Sequence, residues 1–156
     1  MTDDALARLL ECERLPGLNV YEDQLARAWL RDFHPLYDSV EFQAHVGGGI
    51  DPGPEWSEAM RRMYRHNSQK RIDILARGPL SVSIVEIKHR IDLAQLGQLI
   101  GYRWLWVHEH ANPYEYVELV AIGWTALEDV AHAMRANGVR LLLYPDLDPS
   151  QQQPAR

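Results

Sequence analysis

The stretch RIDILARGPLSVSIVEIKH, residues 71–89, contains two short apolar runs separated by a Gly-Pro turn. Such runs around a turn predict a β-hairpin. Because successive side chains of a strand point to opposite faces, Glu86 and Lys88 should share one face of the second strand. A hairpin of this length should lay Asp73 of the first strand beside Glu86. We therefore expect two carboxylates and an ammonium to meet on one patch of a mostly buried sheet.

Helical and strand patterns alternate along the rest of the chain. Helical spacing covers residues 5–15, 19–33, 54–66, 91–110 and 125–138, and strand patterns cover 39–46, 71–76, 81–89, 114–124 and 139–145. This order predicts an α/β fold with a mixed central β-sheet that is flanked by helices on both faces. We expect one domain over residues 1–148 and a disordered tail over residues 149–156.

Local signals predict the ends of several elements. Asn19 suits the cap of the second helix, and Thr125, with Glu128 at the capping-box spacing, suits the cap of the last helix. Pro54 suits the first turn of the middle helix, and the Asn-Pro pair at 112–113 should end the long helix.

The strand patterns also predict which side chains share a face. Apolar residues occupy every second position of the first strand and should lie together: Val40, Phe42, Ala44 and Val46. By the same rule, Ile72 and Ile74 should share the face opposite Asp73. Alternation therefore divides these side chains between the two faces of one sheet.

The composition limits the classes of protein to which the chain can belong. Its 156 residues suit one domain, and no apolar run approaches the ~20 residues of a membrane helix. The polar N-terminus lacks the shape of a signal peptide, so a cytoplasmic protein with no membrane partner is expected. Cys12 is the only cysteine, which excludes an intrachain disulfide and a metal cluster held by thiolates.

Positive charge is concentrated in the middle of a chain whose net charge is −6. Residues 61–108 hold nine basic and three acidic residues, so this segment can present a positive face to a nucleic acid. The predicted nucleic-acid contacts are Arg61, Arg62, Arg65, His66, Lys70, Arg71 and Gln95. The alternative is that the three arginines only line the solvated face of one helix.

The charged residues of the hairpin allow two interpretations. In the first, Lys88 forms an ion pair with Asp73 or Glu86 at the edge of the sheet. In the second, the two carboxylates bind Mg²⁺ or Mn²⁺, with the backbone carbonyl of Ile87 as a further oxygen ligand. Lys88 would then lie near the attacking water and stabilise the charge that grows on a phosphate. Only two of the sixteen basic residues are lysines, and the rest are arginines. Lys88 is therefore less easily explained as a position that needs only a positive charge.

The helix after the hairpin carries a polar stripe. Gln95, Gln98 and Tyr102 are spaced by three and four residues, which places them on one side of a helix rich in Leu, Ile and Gly. Polar side chains directed to the interior need hydrogen-bond partners there, as a ligand or an ion would supply. The alternative is that the stripe is the solvated side of the helix.

Together, Asp73, the Glu86-Ile87-Lys88 run and the QLIGY run of residues 98–102 resemble the D…(E/D)xK…QxxxY signature of the PD-(D/E)XK nuclease superfamily. The resemblance is greatest to the branch with the RecB-like and lambda-exonuclease-like nucleases, and to archaeal-type mismatch endonucleases. The core of that family is an αβββαβ unit of the restriction-endonuclease-like fold, and residues 19–124 follow its order. Ile72 stands where a proline would precede the aspartate in the family pattern.

The resemblance implies a metal-dependent nuclease that hydrolyses phosphodiester bonds in DNA with Mg²⁺ or Mn²⁺. By the same resemblance, Asp73 and Glu86 would bind the metal, and Lys88 would be the catalytic lysine. Gln98 and Tyr102 would support the site or contact the phosphate backbone.

Further expectations concern a second ligand, partners and other functions. Glu22 matches a glutamate that the family often carries near the metals on its first core helix, so the resemblance implies a second-metal ligand there. A chain with little beyond the core would draw its specificity from dimerisation or a protein partner. Two other functions stay open: a nuclease-fold module that binds nucleic acid or assembles without catalysis, and an enzyme of the same fold that acts on RNA or on a nucleotide.

Overall fold

A central sheet with helices on both faces forms the protein. The computed structural model describes residues 1–110 and 116–151. The helices are α1 (Asp3–Leu10), α2 (Val20–Phe33), α3 (Glu58–Ser68), α4 (Leu93–Glu109) and α5 (Glu128–Ala136). The strands are β1 (Ser39–Val46), β2 (Lys70–Arg77), β3 (Ser81–Ile87), β4 (Arg90–Ile91), β5 (Tyr116–Gly123), β6 (Thr125–Ala126) and β7 (Val139–Leu143).

The main sheet has the strand order β1-β2-β3-β5-β7 and mixes two kinds of pairing. β1, β2 and β3 form an antiparallel meander, whereas β5 and β7 are added in parallel. Parallel neighbours need crossover connections, which α4 and α5 provide. β4 and β6 pair separately as a two-stranded sheet. The predicted α/β class is confirmed, and the order is that of a restriction-endonuclease-like fold.

Two apolar clusters, one on each face of the sheet, join the layers. On one face, Leu99 and Trp106 of α4 pack with Ile84 of β3. On the other face, Leu25 and Trp29 of α2 belong to the cluster that contains Val85 and Ile87 of β3. Full burial of such side chains is worth roughly 1.5–3 kcal/mol each. The β2–β3 hairpin is therefore held between α2 and α4.

One predicted helix cap is present in the structure, and another is not. Asn19 caps α2 as predicted, and the Glu22 carboxylate completes the capping box by accepting from Asn19 N at 2.9 Å. Thr125 caps nothing, because it is extended and pairs with Arg90 in the β4–β6 ladder. α5 follows Leu127, which makes no side-chain cap.

Other boundaries also differ from the predicted ones. Pro54 precedes α3, whose cap is Ser57. The first helix ends at Leu10 instead of residue 15. Pro149–Gln151, at the start of the predicted tail, forms a short 3₁₀ turn. The rest of that tail and the Asn-Pro pair at 112–113 lie outside the described residues. Among the described residues, none of the helices combines the length and apolar character needed to span a bilayer.

The predicted alternation fails at the middle of β1 and β2. Val40 and Phe42 pack on the α2 side, whereas Ala44 and Val46 pack on the α4 side. In β2, Ile74 faces α2 and Ile72 faces α4, so these two isoleucines do not share a face. The backbone of Gln43 has a φ of +54°, which breaks the two-residue period of β1. Gln43 and Asp73 lie at this reversal, between the paired residues Phe42–Ile74 and Ala44–Ile72.

Candidate functional site

The carboxyl groups of Asp73 and Glu86 meet where the β2–β3 ladder ends. The last backbone pair of that ladder is Ile74 with Val85. Beyond it, Asp73 N donates to Glu86 Oε1 at 3.2 Å, and Ile87 N donates to Asp73 Oδ2 at 2.9 Å. The hairpin thus brings the two acids together, as its length predicts.

Burial keeps this pair from ionising freely. Glu86 is only 3% exposed, and Asp73 is partly buried. Loss of hydration raises the pKa of both carboxyl groups, and the negative charge of Asp73 raises the pKa of Glu86 further. Glu22 also raises the pKa of Asp73, while Lys88 opposes the rise at Glu86. Ionising both carboxyl groups of the pair at once is therefore unfavourable.

Lys88 is paired with a carboxylate that the sequence did not single out. Its Nζ donates to both oxygens of Asp92, at 3.2 and 3.4 Å. Asp92 also caps α4 by accepting from Gln95 N at 2.8 Å. The first interpretation of the hairpin charges, an ion pair of Lys88 with Asp73 or Glu86, is therefore not the pairing found, although Lys88 is near enough to lower the pKa of Glu86.

Gln95 lies in the interior and hydrogen-bonds the backbone of the acidic pair. Its side chain is fully buried, and its Nε2 donates to the backbone carbonyl of Glu86 at 2.8 Å. The predicted contact of Gln95 with nucleic acid is wrong, because no part of the side chain reaches the surface. Its Oε1 has no hydrogen-bond partner within the described part of the chain.

Gln98 and Tyr102 form the part of the polar stripe that reaches a pocket. Gln98 Nε2 donates to the Tyr102 hydroxyl at 3.5 Å, and Tyr102 is only 8% exposed. Burial and the nearby charge of Glu86 raise the pKa of Tyr102, so the phenol keeps its proton. The two residues line an open pocket of about 390 Å³ together with Lys70, Gly97, Gly101 and Leu105. The stripe therefore faces the site and not bulk solvent.

Glu22 lies on the other side of the acidic pair, on α2. Its charge acts on Asp73, but one of its carboxylate oxygens is already used by the α2 capping box. It lines a second open pocket, of about 410 Å³, with Lys88, His89 and Arg90. Neither acid lines either pocket, but each pocket contains a residue that interacts electrostatically with the acidic pair: Tyr102 in the first, and Glu22 and Lys88 in the second.

The residues present fit a divalent cation in part. Carboxylates buried without a compensating charge are suitable ligands for Mg²⁺ or Mn²⁺, and Asp73 and Glu86 meet that condition. Among residues 1–110 and 116–151, no three His, Cys, Asp or Glu side chains are arranged to hold a metal ion. A cation would therefore rely on these two acids, a backbone carbonyl such as that of Ile87, and water.

The three arginines predicted to hold nucleic acid are engaged with acids of their own region. Arg61 and Arg65 both bind the carboxylate of Asp51, whose pKa they lower. Arg62 pairs with Glu58 at 2.9 Å, one turn earlier on α3. The alternative reading, that these arginines line a solvated helix face, describes their position in the structure.

The other predicted basic contacts have different surroundings. His66 stacks on His45, with ring centroids 4.0 Å apart. Lys70 and Arg71 are exposed at the start of β2, and neither forms an ion pair with a described residue. Lys70 also borders the pocket that contains Tyr102. The accessible positive charge closest to that pocket is thus Lys70 and not the arginines of α3.

Two residues of the site escaped the sequence analysis. Asp92 could have been found from its position four residues after Lys88 and just before a helix. Gln43, whose Nε2 donates to Asp73 Oδ1 at 3.4 Å, carries no sequence signal, because its role depends on pairing between β1 and β2.

Comparisons with known proteins find likeness in structure but not in sequence. No protein-family model matches the chain, and no curated protein is similar to it in sequence. One similar solved structure is AF1548, a protein of unknown function, at a TM-score of 0.50 and 13% identity, covering 79% of this chain and 57% of that one. Another is EndoMS in complex with double-stranded DNA, at a TM-score of 0.47 and 13% identity, covering 93% of this chain and 51% of that one.

The chain thus spans little more than half the length of either protein. The likeness to AF1548 supports the fold alone, and the likeness to EndoMS, with its lower TM-score, adds nothing to it.

Proposed function

We propose that the chain is a metal-dependent nuclease that hydrolyses phosphodiester bonds in DNA and uses Mg²⁺ or Mn²⁺. The observation that carries the proposal is the meeting of Asp73 and Glu86, both with a raised pKa, at the end of a hairpin. Two acids buried side by side are costly to ionise unless a cation compensates them. With the backbone carbonyl of Ile87, they would supply the oxygen ligands that Mg²⁺ prefers.

A cation held there would polarise a phosphate and lower the pKa of an attacking water. The side chains around the pair would bind and orient the substrate. Tyr102 retains its proton and would donate to a phosphate oxygen, supported by Gln98. Lys88 would stabilise negative charge on the phosphate after its ammonium turns away from Asp92. Glu22 would contribute to a second cation.

DNA would lie along the accessible positive charge beside the pockets. Lys70 and Arg71 would contact phosphates directly, which predicts an affinity that falls with salt. Arg61, Arg62, Arg65 and His66 would contribute only by exchanging their present partners for phosphates. Dimerisation or a protein partner would supply specificity.

A second candidate is a module that binds nucleic acid without catalysis. The observation in its favour is that Asp92, and not the acidic pair, holds the Lys88 ammonium. An enzyme of the same fold that acts on RNA is a further alternative, and one assay separates the three.

The test is incubation of the wild type and variants with Mn²⁺ and with linear, circular, single-stranded and branched forms of DNA and RNA. We expect cleavage of DNA, with Asp73→Asn and Lys88→Ala slower by at least about 100-fold. Glu128→Gln, a charge-matched change on α5, should cleave like the wild type. Binding without cleavage would favour the module, and cleavage of RNA alone would favour the RNA alternative. No cleavage of any substrate, with Lys88→Ala binding like the wild type, would refute the nuclease.

A further inference from the structure

Gln43 has an unusual backbone for the middle of a strand. Its φ of +54° makes it the one non-glycine residue with positive φ in the described ranges 1–110 and 116–151. Such a conformation is unfavourable for a residue with a side chain and persists where the surroundings require it. Strain of this kind is concentrated at functional sites, and Gln43 lies between Phe42 and Ala44, whose β2 partners Ile74 and Ile72 flank Asp73.

The backbone of Gln43 marks a change of face in both strands. Phe42 packs on the α2 side and Ala44 on the α4 side, and the partner strand changes face in the same place, between Ile74 and Ile72. Asp73 lies at the point of reversal, between these two isoleucines. Its carboxyl group therefore runs between the strands and reaches Ile87 N of β3, instead of entering either apolar cluster.

The side chain of Gln43 holds the Asp73 carboxyl group from the side opposite β3. Gln43 Nε2 donates to Asp73 Oδ1 at 3.4 Å, and Ile87 N donates to Asp73 Oδ2 at 2.9 Å. Each carboxylate oxygen thus receives one donor, from β1 and from β3. Gly17 allows this arrangement, because a Cβ at its position would collide with Cγ and Cδ of Gln43.

We infer that Gln43 is a positioning residue that fixes the orientation of the Asp73 carboxyl group for a divalent cation. The inference rests on the proposed function, since that function assigns Asp73 to the cation. A group that hydrogen-bonds a ligating carboxylate limits its rotation, and loss of such a partner typically weakens metal binding by about 10–100-fold. Gln43 would act only through Asp73 and would not touch the substrate.

Two variants distinguish the effect of the Gln43 side-chain amide from the effect of its backbone conformation. Gln43→Met keeps the length of the side chain and its packing on Gly17 but removes the amide. Gln43→Gly removes the side chain and relieves the positive φ, so it should fold at least as well as the wild type. We expect the Kd for Mn²⁺, measured by calorimetric titration, to rise by about tenfold in both variants.

A second readout is independent of any metal. Amide hydrogen exchange at Ile87, which donates to Asp73 Oδ2, should accelerate at least about threefold in Gln43→Met without Mn²⁺. Exchange at Ile84, in the middle of β3, should stay as in the wild type. A residue that merely filled space would leave the Ile87 rate unchanged.

The outcomes distinguish this inference from the proposed function. If Gln43→Met binds Mn²⁺ like the wild type, or leaves exchange at Ile87 unchanged, the positioning role is refuted while the metal site stands. If only Gln43→Gly loses affinity, the backbone and not the amide is responsible, and the inference is also refuted. If the wild type itself fails to bind Mn²⁺, the proposed function fails, and exchange at Ile87 still decides whether Gln43 holds Asp73.

Discussion

The acidic pair on the hairpin and the arginines of α3 are both clusters of like charge, yet they are in opposite states. Asp73 and Glu86 are withdrawn from water, which raises the pKa of both carboxyl groups, and the charge of Asp73 raises the pKa of Glu86 further. Arg61 and Arg65 lie at the surface and are neutralised by Asp51. A cluster whose charge is compensated within the protein has little to gain from a ligand, whereas an uncompensated buried pair has much to gain. The difference therefore supports the proposal that a cation binds at the hairpin and not at α3.

The largest expected effect is a difference between the two regions when one carboxylate is removed from each. Asp73→Asn should lower the rate of DNA cleavage in Mn²⁺ by about 1000-fold, because the cation loses a charged ligand. Asp51→Asn should not slow cleavage, because it removes only the partner of two surface arginines. Initial rates measured with both variants at saturating DNA check the contrast. Equal losses would contradict it.

The next effect concerns the pH dependence of stability. Folding raises the pKa of Glu86 above that of an unfolded chain, about 4.3. The stability contributed by this group is therefore complete below the unfolded pKa and is lost as pH rises through the folded pKa. Glu86→Gln has no such proton to lose. In metal-free buffer, it should exceed the wild type in free energy of unfolding at pH 8 by on the order of 2 kcal/mol.

Urea unfolding at pH 4 and pH 8 checks this prediction. The advantage of Glu86→Gln should shrink toward pH 4, where the wild-type carboxyl group is mostly protonated in both states. Glu58→Gln, an exposed change on α3, should follow the wild type at both values. If the wild type instead gained stability relative to Glu86→Gln as the pH rises, folding would lower the pKa of Glu86, and the prediction would be wrong.

A smaller effect tests whether the α3 arginines are held back from DNA. Asp51→Asn should strengthen DNA binding by about threefold and steepen its salt dependence, since two arginines become available. Lys70→Gln should weaken binding and reduce the salt slope by about one. Fluorescence anisotropy over a range of salt concentrations measures both. Unchanged affinity in Asp51→Asn would mean that these arginines do not face the DNA.

The smallest effect concerns Asp92, which both caps α4 and holds Lys88. Asp92→Ala should cost about 1 kcal/mol of stability through loss of the cap. Asp92→Asn keeps a good capping residue and loses only the ion pair, so the cost should stay below about 0.5 kcal/mol. Thermal unfolding of the two variants measures the difference. Equal losses would show that the Lys88 pair, and not the cap, stabilises this region.

The parts of the fold and site that the sequence predicts are local. The hairpin brings Asp73 to Glu86 because few residues separate them, and Asn19 caps α2 because its partners lie within one turn. Such contacts need only a strand period, a turn or a helix start.

The parts that the sequence misses depend on neighbours distant in the chain. Asp51 neutralises two of the arginines from the preceding loop, outside the basic segment of residues 61–108. Gln95 has the spacing of a surface contact but is buried, because α4 packs that face onto the hairpin. Thr125 has a capping signature, yet pairing with β4 holds it in a strand. In each case tertiary structure overrides a correct local rule.

The central claim is that Asp73 and Glu86 together bind a divalent cation, and titration of metal-free protein with Mn²⁺ tests it most directly. Binding to the native state alone, at 100 times the Kd, should stabilise the wild type by about 2.7 kcal/mol and raise its Tm by several degrees. Asp73→Ala and Glu86→Ala should each lose this shift, while Glu128→Gln should keep it. The account would be contradicted if Mn²⁺ left the Tm of the wild type unchanged, or if it raised the Tm of Asp73→Ala as much as that of the wild type.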